Sequence, residues 1–270
     1  MTQHAIPVVA PYAARSASIE RQDGGLSRDG RFWVRALAGE DELAIADGLA
    51  EEQSAVEIAS RLIGACVADA AGPIGFEAAE ALSIGDREVL LRAIHAATFG
   101  ALIETQVACS DDCGETIAFG LDLDLLSEMP PEPGPMHRIR LGARTIACRV
   151  PTGADIRRAL SHNGSAAESL ALACTDGKVG ASEELARALA ELDPNAECTL
   201  SLACPNCGRT STLWLDAFEL LRRAIAEEGG IMRQVDRLAR AYGWSEAAIL
   251  DLPRDRRRRY CSLVAAENAP

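Results

Sequence analysis

Four cysteines stand in two short pairs whose spacing suits a metal ion. One pair is Cys109-Ser-Asp-Asp-Cys113-Gly114 and the other is Cys204-Pro-Asn-Cys207-Gly208. In each, glycine follows the second cysteine, and nine residues after that cysteine comes the aspartate of a Leu-Asp pair, Leu121-Asp122 or Leu215-Asp216. Both Leu-Asp pairs lead into apolar runs (Leu123, Leu125, Leu126; Phe218, Leu220, Leu221). Four thiolates can hold Zn2+ tetrahedrally, and a site closed by four protein ligands is structural rather than catalytic. The second pair has CxxC spacing; the first, CxxxC, has one more residue and stays within the spacings that zinc sites use. A disulfide or redox pair, and small apolar residues in tight turns, are the competing readings. Cys109, Cys113, Cys204 and Cys207 are therefore expected to share one structural Zn2+. Cys66, Cys148, Cys174, Cys198 and Cys261 have no partner at ligand spacing and read as core thiols.

No other chemistry stands out. The chain contains no GxSxG, HExxH, GxxxxGK or GxGxxG, and its one lysine, Lys178 in Asp176-Gly177-Lys178, lacks the rest of a phosphate loop. His4, His95, His137 and His162 are scattered and read as core or surface residues. The expectation is a protein that is not an enzyme.

The bulk properties limit the partners. With 48% hydrophobic and 25% charged residues the chain is globular, and the scarcity of aromatics (4%) beside abundant alanine and leucine favours helices over strands. No uncharged apolar stretch reaches the roughly 18 residues needed to span a bilayer. The start of the chain carries Pro7 and Pro11 and has no Lys or Arg before Arg15, so it does not read as a secretory signal. Nine cysteines then fit a reducing, cytoplasmic compartment. A net charge of −13 argues against general nucleic-acid binding, which needs a positive surface. From Met232 onward eight arginines face five acidic residues, a net of +3, leaving −16 for the rest. Ends of opposite sign point to a protein partner.

The elements that must position the cysteines follow from periodicity and caps. Residues 1–29 read as a flexible tail, and regular structure is expected to begin with a strand near Arg31–Leu37. Acidic Glu40–Glu42 opens one helix, and the capping box Ser54-Ala55-Val56-Glu57 opens another, which Gly72-Pro73 breaks. A helix from about Asp86 to Phe99 leads into an extended stretch (103–108), the first knuckle and a return strand (116–120). Met129–Pro135 is a proline-rich linker. After it come a hairpin around Leu141–Arg144, a helix opened by Pro151–Asp155, helices at 165–174 and 182–192, and strands 197–203 and 210–215 flanking the second knuckle. Helices at 216–228, 231–242 and 245–252, and a last one after Pro253, complete the chain.

The expected fold is thus α+β and mainly helical. It consists of a duplicated strand–knuckle–strand–helix unit, 95 residues apart at Cys109 and Cys204, joined by a zinc-ribbon-like site and followed by a helical C-terminal tail. The divisions are 1–29 (tail), 30–128 (first half), 129–135 (linker), 136–228 (second half) and 229–270 (helical C-terminal region). Arg256-Arg257-Arg258-Arg259, with Trp244 and Tyr260 nearby, offers a docking patch for an acidic protein surface; a solvated helical face and a core tryptophan are the plainer readings. The knuckles act in this view as a clip that holds the tail in place.

Two stretches resemble a known family. Gly85-Asp86-Arg87-Glu88-Val89-Leu90-Leu91, running through Thr98-Phe99-Gly100 into the first knuckle, is one. The other is Tyr242-Gly243-Trp244-Ser245-Glu246, continuing through Ile249-Leu250-Asp251-Leu252-Pro253 to Arg257-Arg258-Arg259-Tyr260. Over most of 31–262 the chain resembles the T-even-type baseplate hub assembly proteins, or hub assembly chaperones, of contractile-tailed phages, prophages and related injection systems. The resemblance implies a non-enzymatic role in building the baseplate hub, through contacts with hub or other tail proteins, in the cytoplasm during assembly or as part of the finished particle. The other function class open to paired knuckles is a zinc-ribbon adaptor in transcription or nucleic-acid handling. Against it stand the acidic balance and Asp111, Asp112 and Glu115 around the first knuckle, with Arg209 the one basic residue near either.

Overall fold

The computed structural model describes residues 18–20, 31–69, 71–110, 113–126, 136–162, 164–227 and 229–267. The proline-rich linker, Asp111, Asp112 and nearly all of the expected N-terminal tail lie outside them. One correction falls within that tail: β1 (Ser18–Glu20) pairs antiparallel with β2 (Arg31–Val34), so regular structure begins earlier than its composition suggests.

Helices and small antiparallel sheets alternate along the chain. After β2 come α1 (Gly39–Ala50), α2 (Ala55–Cys66), β3 (Val67–Asp69), β4 (Gly72–Pro73), α3 (Gly75–Ala81) and α4 (Ile84–Phe99). A hairpin follows, β5 (Leu102–Ala108) and β6 (Thr116–Asp122), then a single 3-10 turn at Leu123–Leu126. The next group is the hairpin β7 (His137–Leu141) and β8 (Arg144–Cys148), then α5 (Gly153–Leu160), α6 (Ala166–Cys174) and α7 (Glu183–Leu192). A third hairpin, β9 (Cys198–Ala203) and β10 (Thr210–Leu215), leads to α8 (Ala217–Ala226), α9 (Gly230–Tyr242), α10 (Glu246–Leu250) and α11 (Arg254–Glu267). Strands β1 to β4 form one sheet, and each hairpin stands as its own two-stranded ribbon. The mixed α and β class agrees with expectation.

Local chemistry sets these boundaries. Ser54, Ser83, Thr152, Ser165, Ser182, Asp216 and Ser245 each precede a helix and accept the amide three residues on, which satisfies a donor that would otherwise lack a partner. Gly243 closes α9 in the left-handed region, at φ +66°. Two expectations need correction. Helix α3 is an addition to them, seven residues set between the Gly72-Pro73 break and the next cap, too short to show a period. After the first knuckle ribbon the described residues form a 3-10 turn, Leu123–Leu126, in place of the expected helix.

The largest core joins Phe32, Ile45, Ile58, Leu62, Ile63, Leu90, Leu91 and Ile94 to Phe218, Leu221 and Ile225 of α8. Burying each such side chain stabilises the fold by roughly 1.5–3 kcal/mol. Helices α5 to α7 bury much less: Ala159, Ala171, Cys174 and Leu185 are their buried apolar side chains. The tail helices have a separate small core of Leu238, Ile249, Cys261 and Val264.

Residues 31–126 and 136–226 each hold an arginine–aspartate clamp as well as a knuckle hairpin. Arg35 donates from its amide to the Cys66 carbonyl (3.0 Å), and its guanidinium grips both oxygens of Asp41, which also accepts the Ala38 amide at the start of α1. Arg149 likewise donates to the Cys174 carbonyl (3.0 Å) and grips both oxygens of Asp155, which accepts the Thr152 amide at the start of α5. In each case the arginine ends a strand, the aspartate sits in the first turn of a helix, and the carbonyl closes the next helix. The halves are tied directly by Arg157 on Glu80 (2.6 and 2.7 Å) and by the Gly85 amide on Asp193 (2.9 Å).

Candidate metal centre

The two knuckles sit at the tips of β5–β6 and β9–β10. Pairing runs from Leu102↔Asp122 to Ala108↔Thr116 in one ribbon and from Cys198↔Leu215 to Ala203↔Thr210 in the other. Each knuckle opens on a cysteine whose amide bonds across the turn, Cys109 to the Glu115 carbonyl (2.9 Å) and Cys204 to the Arg209 carbonyl (2.8 Å). Gly114 and Gly208, at φ +77° and +74°, take a left-handed conformation that other residues adopt only with strain.

The ribbons face one another. Leu121, Leu123 and Leu215 form one layer between them, with Ile103, Phe119, Cys198 and Leu200 packed against it, and Cys109, Ile117 and Cys204 form the layer nearer the tips. Ser211, almost fully buried, accepts the Ser110 amide at 3.2 Å and binds its hydroxyl at 3.0 Å.

These contacts bring the four thiols together. Cys109 Sγ lies 3.7 Å from Cys207 Sγ and Cys113 Sγ lies 3.7 Å from Cys204 Sγ, with all four within 4.8 Å of one another. All are free thiols. A tetrahedron of sulfurs about 2.3 Å from a central zinc has edges of about 3.8 Å, so the donor set fits this ion in number, type and spacing. Both short contacts cross from one knuckle to the other, so a shared ion would join the ribbons. The Cys207 amide, then that of Asn206, points at the Cys204 sulfur and holds its thiol down at about 7 against the opposing effect of burial. A lowered thiol pKa favours the thiolate that a metal needs. The remaining five cysteines are free thiols as well, and burial pushes Cys66 up to about 12 and Cys174 up to about 11.

The residues expected to dock a partner divide. Trp244 stacks on Tyr242 (centroids 4.8 Å apart) and meets Tyr260 edge-on (5.0 Å), half-buried over the tail core. Arg256, Arg258 and Arg259 are exposed. Arg257 is not: it is fully buried and must leave the docking patch. Its guanidinium bonds Glu42 of α1 at 2.5 Å, Gln234 of α9 at 2.8 Å and the Leu252 carbonyl at 3.3 Å. Glu42, fully buried too, also takes Arg254 at 2.7 Å, and Arg254 lies 4.4 Å over the Phe99 ring. Gly39 makes room for this network, since a Cβ there would stand 2.5 Å from the Leu250 carbonyl oxygen and 2.9 Å from the Arg257 guanidinium. Glu42 therefore anchors the tail to α1. Sequence reasoning missed Glu42, Gln234 and Arg254, although Arg254, Arg257, Cys261 and Val264 recur at the spacing of one helical face, which marks an inward stripe.

Two facing ribbons thus bring together four thiols that could hold a metal ion, beside a helical body. A family model described as T4 bacteriophage base plate protein matches residues 34–176, more than half of the chain, and this chain belongs to that family. The matched stretch includes both clamps and the first knuckle. No curated protein and no solved structure matches the chain. Among the described residues no helix is long and apolar enough to cross a membrane.

Proposed function

We propose that this chain is a non-enzymatic assembly factor, or a structural component, of the baseplate hub of a contractile phage tail or injection system. Membership of the baseplate family carries this reading. In it, the chain is two copies of one unit (30–128 and 136–228), each a clamped helical part followed by a knuckle ribbon, with the helical region 229–270 appended. One zinc ion held by Cys109, Cys113, Cys204 and Cys207 fastens the ribbons, supported by the sulfur spacing. Such an ion would be structural: it would offset half the charge of four thiolates and tie two short hairpins into one body, at a gain on the order of 10 kcal/mol in folding free energy. Contacts with hub or other tail proteins fall on the exposed side of the tail, at Trp244, Tyr260, Arg256, Arg258 and Arg259.

The test is co-expression of this chain with the neighbouring tail genes, followed by affinity purification and metal analysis of the same sample. The expected result is co-elution of hub proteins and one zinc per chain, with zinc lost in Cys113→Ser. An Arg256→Ser, Arg258→Ser, Arg259→Ser triple variant, which leaves Arg257 in place, should stay folded and lose the partner. Unchanged recovery of hub proteins with that variant would remove the tail from the interface, and a folded, metal-free sample would remove the zinc. Detection of the chain in finished particles distinguishes a component from a chaperone.

A further inference from the structure

Helices α4 and α7 share several residues at matching positions. Glu88, Leu90, Arg92 and Ala93 recur 95 residues later as Glu183, Leu185, Arg187 and Ala188, the interval that separates Cys109 from Cys204. Leu90 and Leu185 are both buried. The next face round the helix differs sharply. On α4 it is covered by α8: Phe218, Leu221 and Ile225 pack against the core that holds Leu90, Leu91 and Ile94, and Glu88 accepts the amide of Ala217, the first residue of α8, at 3.0 Å. Leu91, Arg92 and His95 are consequently 2%, 1% and 5% exposed. Their counterparts on α7 are Ala186 and Arg187, both exposed, and the half-buried Ala190.

What lies over α7 is a groove of about 490 Å3 between α6 and α7. Its walls are Leu170, Ala171, Leu185, Ala186, Leu189 and Ala190, and Glu183 and Glu197 stand at its edge. Among the described residues no helix fills it. Leu123–Leu126, which follows the first ribbon, is a 3-10 turn packed against α4.

We propose that this groove receives an amphipathic helix of a partner protein, seated as α8 is seated on α4. The occupant has large apolar residues at i, i+3 and i+7 to enter the alanine-lined trough, the spacing that Phe218, Leu221 and Ile225 show. Glu183 accepts an amide in its first turn, as Glu88 does for α8, where the positive end of the helix dipole favours a carboxylate. With Glu183 and Glu197 on the rim, and Glu184 and Glu191 on the outer side of α7, the groove selects a helix flanked by arginine or lysine. Helix α8 meets that description itself, with Arg222 and Arg223 on its polar side. The proposal rests on the preceding reading only in taking the partner to be a tail protein; the groove and its chemistry stand without it.

The probe is a fluorescein-labelled, lactam-stapled peptide of residues 216–227, titrated with the full chain and followed by anisotropy. Saturable binding is expected, weakened at least tenfold by Ala186→Trp, which fills the trough from an exposed position, and several-fold by Glu183→Gln. A peptide carrying Leu221→Asp should not bind. Absence of saturation at millimolar protein, or equal binding by Ala186→Trp, overturns the proposal. Light scattering supplies a second measurement: a dimer of the full chain that Ala186→Trp dissociates would make the groove a contact between copies, and the partner-helix proposal would fall. None of these readouts uses a baseplate protein, so failure here leaves the family-based reading intact, and loss of hub co-purification leaves this result intact.

Discussion

Two stretches of the chain, 31–126 (here the first half) and 136–226 (the second), place similar parts in opposite circumstances. Arg35 with Asp41 and Arg149 with Asp155 make matching clamps, and the knuckle ribbons match strand for strand. Yet the first half lies under α8 and the tail, whereas α7 in the second half is bare along one face. One residue accounts for where the tail docks. Glu42 follows the clamp aspartate in α1 and draws in Arg254 and Arg257; after Asp155 the chain has Ile156, which can recruit no arginine. The scaffold is held in common, and what covers it is decided by single side chains.

The largest effect expected is on the anchor. Arg257→Ala leaves the Glu42 carboxylate buried with only Arg254 beside it and takes from the Gln234 carbonyl oxygen its donor, so it should cost about 3–5 kcal/mol, the usual penalty for halving a buried pair. Urea unfolding measures it, and a loss below about 1 kcal/mol would show that the tail does not depend on this contact. The double variant Glu42→Leu, Arg257→Met sharpens the comparison, because it makes the first half resemble the second at this point. It should lose clearly less than the two single variants added together.

The clamps come next. Burial by itself would raise the Asp155 carboxyl, but Arg149 and the amide and hydroxyl of Thr152 outweigh it and hold the group at about 2. An unfolded aspartate titrates near 3.9. The clamp's contribution is therefore complete above about pH 4 and disappears as pH falls from there towards 2. Asp155→Asn should cost about 2 kcal/mol at pH 7 and flatten that part of the acid-unfolding curve. Asp41→Asn should cost less, since the Arg35 side chain is 48% exposed against 33% for Arg149, and water competes better for it. Equal losses would mean that solvent access does not distinguish the halves.

Much of this was legible in the chain. The knuckles, their glycines and the Leu-Asp pairs predicted both ribbons, and serine and threonine caps located most of the helices, because these are local rules acting over a few residues. The shared clamps were not visible in the same way. Arg35 and Arg149 are 114 residues apart and Cys109 and Cys204 are 95 apart, so insertions such as α3 and the β3–β4 hairpin shift the register and conceal the match. Arg257 was misplaced for another reason. A run of four arginines reads as a solvated face, and only a buried carboxylate 215 residues away draws the second of them inward. The groove over α7 depends on a missing neighbour, which no window of sequence reports.

The smallest effect separates a covered glutamate from a bare one. Burial under α8 pushes Glu88 up to about 7, opposed by the Ala217 amide and supported by the Asp216 charge. In the unfolded chain a glutamate titrates near 4.3. Between those values the folded state binds its proton more tightly than the unfolded state does, so this group favours folding at low pH and that contribution fades as pH rises from about 4.3 to 7. Glu88→Gln keeps a carbonyl oxygen to accept the Ala217 amide and has no charge to desolvate. It should raise stability at pH 8 by about 1 kcal/mol and remove the decline over that interval. Glu183→Gln, on the exposed face of α7, should change stability by no more than about 0.5 kcal/mol. If Glu88→Gln instead destabilises the protein at pH 8, the carboxylate's charge on the α8 terminus outweighs its desolvation. Glu183 would then be expected to attract a partner's helix end more strongly than its exposure suggests.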